Sequence, residues 1–170
     1  MFLKWGSQPW MIWRSHWQSR QTLGGRRVTF AILIAMGLFA AIPYTLINRF
    51  ASVRDWAAFD PTLQLDIDIP FLAWMILPYM TLYLYYPVAA WLGSKNEVMW
   101  RQNVVFHQMM LLTCWGVNAI FILLPVEIDL RHLIHGIEGT VWEPFYASMH
   151  AIDTPWNSWP SLHIVQSMQV

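Results

Sequence analysis

Three long segments without a charged residue constrain this chain more than any other feature of its sequence. They run from Val28 to Asn48, from Ile69 to Ser94 and from Gln102 to Val126, and contain 21, 26 and 25 residues. A helix rises about 1.5 Å per residue, so each segment reaches roughly 30 Å or more, the thickness of the hydrocarbon core of a bilayer. The pattern predicts an all-α membrane helix bundle with full transmembrane helices at about 28–48, 69–93 and 103–125.

Composition excludes the other broad classes of protein. Hydrophobic residues make up 56% of the 170 residues and charged residues 12%, against about 25% charged in ordinary soluble domains. The chain has 12 Trp, 6 Tyr and 9 Phe. On a soluble domain these would leave large exposed apolar patches, which are rare, and disordered chains contain few aromatic residues. Lys and Arg total 10, as do Asp and Glu, so the basic excess of a nucleic-acid binder is missing. The expected surroundings are membrane lipids.

The basic residues predict an orientation, because cytoplasmic loops of membrane proteins carry an excess of Lys and Arg. With the N-terminus inside, the inner segments 1–27 and 93–103 contain Lys4, Arg14, Arg20, Arg26, Arg27, Lys95 and Arg101. The outer segments 49–68 and 127–163 contain only Arg49, Arg54 and Arg131. We therefore expect a multi-pass protein, of the inner membrane in a bacterium, with a cytoplasmic N-terminus and its last loop outside.

Residues 1–27 have a character of their own. Their tryptophans follow the spacing i, i+3, i+7, which places them on one helical face: Trp10, Trp13 and Trp17. A helix of this kind lies on the membrane surface, with indoles at headgroup depth and cations near anionic lipid. We predict a cytoplasmic interfacial anchor, with a lipid sensor as the alternative, and assign the transmembrane domain to residues 28–170. A cleaved secretory signal is disfavoured because the apolar run exceeds the usual ~7–15 residues.

Two prolines set expectations for the second predicted helix. Asp68 stands just ahead of Pro70, a pattern typical of an N-cap followed by an early proline. Pro78 lies further along and is expected to kink the helix. The sequence therefore predicts a helix that begins at Ile69 and bends near Pro78.

The segment that begins at Pro125 carries most of the reactive groups, namely Arg131, His132, His135, His150, Asp153, Ser161 and His163. The side chains of His132, His135 and Glu138 are spaced three residues apart and would share a helical face as zinc ligands do. This spacing alone is unspecific, and neither an HExxH nor a CxxC motif accompanies it. We predict no metal ion and interpret these histidines as groups of a solvated loop.

Pro160 and Ser161 stand directly before an apolar run, which marks a helix start with Ser161 as the N-cap. The free backbone N–H groups of a first helical turn attract anions. His163 follows two residues after the cap, where it would donate a proton to an oxygen that leaves phosphorus. The residues by themselves support either a phosphate cradle with an acid beside it or a capped helix with a chance histidine.

The segment PSLH at 160–163 resembles the second signature of the type-2 phosphatidic acid phosphatase superfamily, usually Pro-Ser-Gly-His. Its Leu form is typical of the inositol phosphorylceramide synthase-like branch. The segments DIPF at 68–71 and PY at 78–79 resemble the second membrane segment of that branch. The resemblance covers about residues 65–170 and agrees with several membrane helices followed by a signature that opens a helix at the outer face.

The resemblance implies a lipid-phosphate phosphatase or phosphotransferase that works without metal or cofactor. It implies that His163 is the general acid and that Ser161 binds phosphate oxygens. The first family signature is a Lys, six residues, then Arg-Pro, and Arg131 lies at a suitable distance to be its arginine. Leu124 and His132 occupy the places of the Lys and the Pro. The assignment of Arg131 as a phosphate-binding residue therefore depends on its charge and its position, and not on a full match to the signature. Arginine suits this role because its guanidinium binds phosphate in a bidentate fork.

The third family signature, Ser-Arg, five residues, His, three residues, Asp, supplies the nucleophilic histidine, and no segment of the 170 residues matches it. The fourth predicted helix, from residue 161 to 170 and onward, has nine residues after Ser161 here, roughly 14 Å, which is too short to span. We therefore expect the N-terminal portion of a longer enzyme, inactive as this chain. The alternative is a non-catalytic membrane protein, either a degenerate relative or a helical scaffold.

Overall fold

The computed structural model describes residues 6–54, 56–93 and 96–168, and these form helices joined by loops. The helices are α1 Arg14–Gln18, α2 Arg27–Val53, α3 Gln64–Asp68, α4 Ile76–Leu92, α5 Glu97–Leu123, α6 Glu143–Ile152 and α7 Leu162–Ser167. Helical turns lie at Met11–Trp13, Thr22–Gly25, Ala73–Met75 and Arg131–Leu133, and α2 contains a π-helical turn at Gly37–Ala41. No strand occurs within the described ranges, so the predicted all-α class is confirmed.

Helices α2 and α5 are long and apolar enough to cross a membrane. Each has 27 residues, and an 18-residue stretch within each has a mean hydropathy of 2.2 in α2 and 1.5 in α5. Helix α4 has 17 residues, about 26 Å at 1.5 Å per residue, and is shorter than the predicted 69–93. The described residues therefore supply two candidate spans where the sequence predicts three.

Helix α4 begins at Ile76 rather than at Ile69, so the N-cap predicted at Asp68 is wrong. Asp68 is the last residue of α3, where its carboxylate accepts a hydrogen bond from Gln64 Nε2 at 2.9 Å. Ile69 is extended, with ψ 122°, because the residue before a proline is pushed out of the helical region. The chain consequently passes through a loop and a short 3₁₀ turn before α4 starts.

The late start of α4 also changes the role of its prolines. Pro78 lies in the first turn of α4, where a backbone N–H has no intrahelical partner to lose. Pro78 therefore removes no backbone hydrogen bond of the helix, and the kink predicted at this residue is not expected. The proline inside α4 is Pro87, one turn before the C-terminal end.

The N-terminal segment is fastened to the long helices by Trp13. The indole is 6% exposed and packs with Val28 and Ile32 of α2, Ala90 of α4 and Val104 of α5. The sequence predicts Trp13 at headgroup depth, whereas the structure places it in the protein core because three helices converge on it. The position of the segment on a membrane surface stays a prediction.

The close approach of α4 to α5 gives a prediction about Gly93. A Cβ atom added to Gly93 would lie 2.6 Å from Cγ of Asn103, whose buried amide donates to the Ala90 carbonyl at 2.9 Å. Gly93→Ala is therefore expected to lower the free energy of unfolding by about 1–3 kcal/mol, the usual cost of overpacking. Thermal unfolding in detergent measures the change.

The matched control for this substitution is Gly116→Ala in the middle of α5. A Cβ atom there meets nothing within 4 Å, and alanine favours a helix more than glycine does, by up to about 1 kcal/mol. The control is expected to unfold at the same temperature as the original chain or higher. Equal unfolding temperatures for the two variants would contradict the proposed clash with Asn103.

Candidate functional site

The loop between α5 and α7 packs against the start of α4. A small apolar cluster joins Ile76 of α4 to Ile137 and Tyr146 of the loop and α6. The Tyr146 hydroxyl donates to the Ala73 carbonyl at 3.3 Å. These contacts hold α6 beside α4 and so determine where the residues that follow α6 lie.

Asp153, directly after α6, is the point at which this loop meets α2. Its Oδ1 accepts hydrogen bonds from Asn48 Nδ2 at 2.6 Å and from the Tyr44 hydroxyl at 3.2 Å. The next residue, Thr154, donates its hydroxyl to Asn48 Oδ1 and accepts from Asn48 Nδ2 at its carbonyl. Since Asn48 is 1% exposed, the loop is fixed to α2 by a buried polar junction.

Arg131 reaches the same junction from the beginning of the loop. Its Nη2 donates to the Asp153 carbonyl at 2.5 Å, and its backbone N–H donates to the Asp129 carboxylate at 3.0 Å. Among the described residues, the bond to the Asp153 carbonyl is the hydrogen bond that the guanidinium itself makes to protein. A guanidinium has five N–H donors, so further donors remain for an anion.

His163 lies in the first turn of α7, whose N-cap is Ser161 as predicted. The Ser161 hydroxyl accepts from the Ile164 N–H at 3.5 Å. His163 Nε2 is 3.3 Å from the Tyr79 hydroxyl, and its ring packs edge-on against Tyr79 and Tyr83. Its Nδ1 is buried and has no hydrogen-bond partner among the described residues. One ring nitrogen thus lies at hydrogen-bond distance from Tyr79, and the other is buried without a partner among the described residues.

Asp153 and His163 each influence the charge of the other. Burial raises the pKa of the Asp153 carboxyl, and the hydrogen bond from Tyr44 and the charge of His163 oppose this rise. Burial lowers the pKa of the His163 imidazole, and the negative charge of Asp153 opposes that change. A bound phosphate would add negative charge beside His163 and raise its pKa, which favours the protonated form that a general acid needs.

A cavity of about 490 Å³ lies next to Arg131 and His150. Most of its lining is apolar and comes from the loop before α4 and from the turn at Arg131, including Ile69, Leu72, Met75, Leu130 and Ile134. Burial lowers the pKa of His150, and the nearby charge of Arg131 lowers it further. The cavity is thus mostly apolar, and its charged lining residues are Arg131 and Asp66.

The histidines of the HxxH pair bond locally. His132 Nδ1 lies 3.1 Å from the Asp129 carbonyl oxygen, and His135 Nδ1 lies 2.6 Å from the carbonyl oxygen of Leu133. Over the described ranges, no group of three His, Cys, Asp or Glu side chains is placed to hold a metal ion.

The structure brings two of the predicted site residues, Arg131 and His163, to a residue that the sequence did not assign to the site, Asp153. It also adds the three side chains that orient them, Tyr79, Tyr44 and Asn48. One signal for Asn48 was available, because a polar residue within an apolar membrane segment commonly pairs with another polar group. Which group it pairs with depends on the fold.

No protein-family model, curated protein or solved structure matches the chain. The functional assignment therefore depends on the residues of this site and on the motif resemblance of residues 160–163.

Proposed function

We propose that this chain is the phosphate-binding and proton-donating part of an integral-membrane lipid-phosphate phosphatase or phosphotransferase. The observation that carries the proposal is the placement of His163. Its Nδ1 is unpaired, its Nε2 lies at hydrogen-bond distance from Tyr79, and its charge interacts with that of Asp153. Arg131, which bonds to the Asp153 backbone, supplies a cation for the phosphate.

In the proposed reaction, Arg131 and Ser161 bind the phosphate oxygens. A nucleophilic histidine, which the family resemblance assigns to a third signature, forms a bond to phosphorus as the bond to the leaving oxygen breaks. His163 gives its proton to that oxygen. The oxygen of water or an alcohol then bonds to phosphorus as the bond to the nucleophile breaks, and its proton goes to His163. Asp153 stabilises the protonated imidazole, and Tyr79 holds the ring in orientation.

The proposal includes a topology with three spans, α2, α4 and α5, and a cytoplasmic N-terminus. The seven-to-three distribution of basic residues between the inner and outer segments supports it. The shorter α4 would cross with the help of the apolar residues that precede it. The segment from Arg131 to His163, and with it the site, would then face the outer side of the membrane.

Reporter fusions test this topology. Fusions at Gly93 and at Gly139 are expected to report opposite sides of the membrane, with the Gly93 fusion cytoplasmic, because α5 separates the two residues. An alkaline phosphatase and green fluorescent protein pair at each position gives complementary signals. Fusions that report the same side for both residues would contradict the topology.

The enzymatic proposal is tested on the protein expressed from its complete reading frame. Membranes that contain it are expected to release phosphate from phosphatidate or undecaprenyl diphosphate, or to transfer the head group to an alcohol, with no loss of rate in EDTA. Residues 1–170 alone are expected to show no turnover, since no segment matches the nucleophile signature. Turnover by residues 1–170 that His163→Ala abolishes would contradict the assignment of the nucleophile.

A lack of turnover by the complete protein on these substrates would overturn the enzymatic proposal in favour of a non-catalytic membrane protein. Activity that is lost in EDTA, restored by zinc and abolished by His135→Ala would overturn the metal-free mechanism. His135 is exposed and its Nδ1 lies near the Leu133 carbonyl, so His135→Ala otherwise serves as a neutral control.

A further inference from the structure

Two adjoining cavities lie toward the opposite end of α2 from the Asp153 junction. The first has a volume of about 450 Å³ and runs between α2 and α5. Trp10 and Trp13 form one wall, and the rest of its lining is mostly apolar, with Ile34, Phe39, Leu111, Leu112 and Trp115 among its residues. A cavity with so few polar groups matches hydrocarbon better than water.

The second cavity shares the walls Trp10 and Trp13 with the first. Its volume is about 370 Å³, and Trp17, Arg14 and Arg101 complete its polar and aromatic lining. Arg14 belongs to α1 and Arg101 to the beginning of α5, so the fold brings together two cations that are distant in sequence. The three tryptophans that the sequence placed on one helical face all line this space.

Both arginines are available to an external anion. Within the described part of the chain, Arg14 and Arg101 make no ion pair or hydrogen bond, whereas Arg20 nearby is paired with Glu97. No described Asp or Glu lines either cavity. The site therefore has an uncompensated positive charge at one end and an apolar chamber at the other.

We propose that the two cavities bind one anionic phospholipid, with an acyl chain in the apolar cavity and its phosphate between Arg14 and Arg101. The occupant follows from charge complementarity, because guanidinium groups bind phosphate in a bidentate fork. Indole rings prefer the headgroup level, where the partly exposed Trp10 and Trp17 would lie beside the glycerol backbone. A zwitterionic lipid brings its own cation toward the two arginines and is disfavoured. This lipid site is separate from the His163 site and does not depend on catalysis there.

The test is native mass spectrometry of the purified chain in detergent, with phosphatidylglycerol and phosphatidylcholine added at equal concentration. We expect the chain to retain phosphatidylglycerol at least tenfold more than phosphatidylcholine. The double variant Arg14→Gln and Arg101→Gln is expected to lose this preference. Both side chains are exposed, so the double variant keeps the fold. Arg49→Gln, which removes an exposed arginine from α2, is the matched control and is expected to keep the preference.

A second variant tests the apolar half of the site. Ala35→Trp fills the cavity beside Ile34 and Phe39, and it is expected to reduce retention of both lipids at least tenfold. Unchanged retention in Ala35→Trp, or a loss in Arg49→Gln equal to that of the double variant, would overturn the proposal.

Inorganic phosphate is the probe that separates a lipid from a free anion. At millimolar concentration, phosphate is expected to leave phosphatidylglycerol bound, because the acyl chain holds the lipid in place. Complete displacement by phosphate alone would show a site for a small anion and overturn the assignment of a lipid. These measurements of lipid retention do not depend on phosphatase activity at the His163 site.

Discussion

Replacement of His163 by alanine, in the protein expressed from its complete reading frame, is expected to lower turnover of a lipid phosphate by about 10² to 10⁴, the usual contribution of a positioned general acid. In the proposed mechanism the proton that reaches the leaving oxygen comes from His163, whose Nδ1 has no hydrogen-bond partner among the described residues. The loss should be largest for alkyl phosphates, whose leaving oxygen needs the proton, and smallest for p-nitrophenyl phosphate. Steady-state rates on both substrates measure it.

The matched control is His132→Ala in the same loop. His132 is exposed and its Nδ1 lies near the Asp129 carbonyl, so its loss is expected to leave turnover unchanged. Equal losses for the two variants, or a His163→Ala loss that is the same for alkyl and p-nitrophenyl substrates, would contradict the role of His163 as the acid.

Arg131→Lys is expected to lower turnover as well, since an ammonium cannot replace a bidentate fork.

Asn48→Ala is expected to lower the free energy of unfolding by about 1–3 kcal/mol, the cost of leaving buried polar groups without partners. The substitution removes the shortest hydrogen bond to the Asp153 carboxylate and both hydrogen bonds to Thr154. Because these groups join the loop to α2, the loss should also increase hydrogen exchange of the backbone around Asp153. Chemical unfolding in detergent and hydrogen exchange measure the two effects.

Ser52→Ala on the same helix is the control for Asn48→Ala. Ser52 is exposed and its hydroxyl donates to the Arg49 carbonyl within the helix. Surface substitutions of this kind change stability by about 0.5 kcal/mol or less. A similar change for the two variants would show that the junction between Asn48 and Asp153 contributes little to the fold.

The dependence of the site on this junction connects stability with the proposed chemistry. Asn48 and Tyr44 of α2 hold the carboxylate of Asp153, and Arg131 holds its backbone carbonyl. The charge of Asp153 in turn opposes the effect of burial on the pKa of His163. In the proposed mechanism, a change in α2 would therefore affect His163 through Asp153, without any contact between α2 and the phosphate.

The features that the sequence determined by itself are local or periodic. Long runs without charge predict helices wherever they fall, because backbone groups in an apolar setting must be hydrogen-bonded within the segment. The serine at 161 predicts the start of α7 because a cap depends only on the next three residues. The runs at 28–48 and 102–126 lie mostly in α2 and α5, whereas the run at 69–94 enters its α-helix only at Ile76. The cap appears as the hydrogen bond from the Ile164 N–H to Ser161.

The tertiary structure alone decided the burial of Trp13 and the partners of Asp153 and His163. Asn48 and Asp153 are 105 residues apart, and Tyr79 and His163 are 84 apart. No local spacing rule specifies which polar groups meet over such separations, because the meeting depends on how α2, α4 and the loop pack together. Residue types show that the chain holds cationic and titratable side chains, and packing decided which of them lie near Asp153.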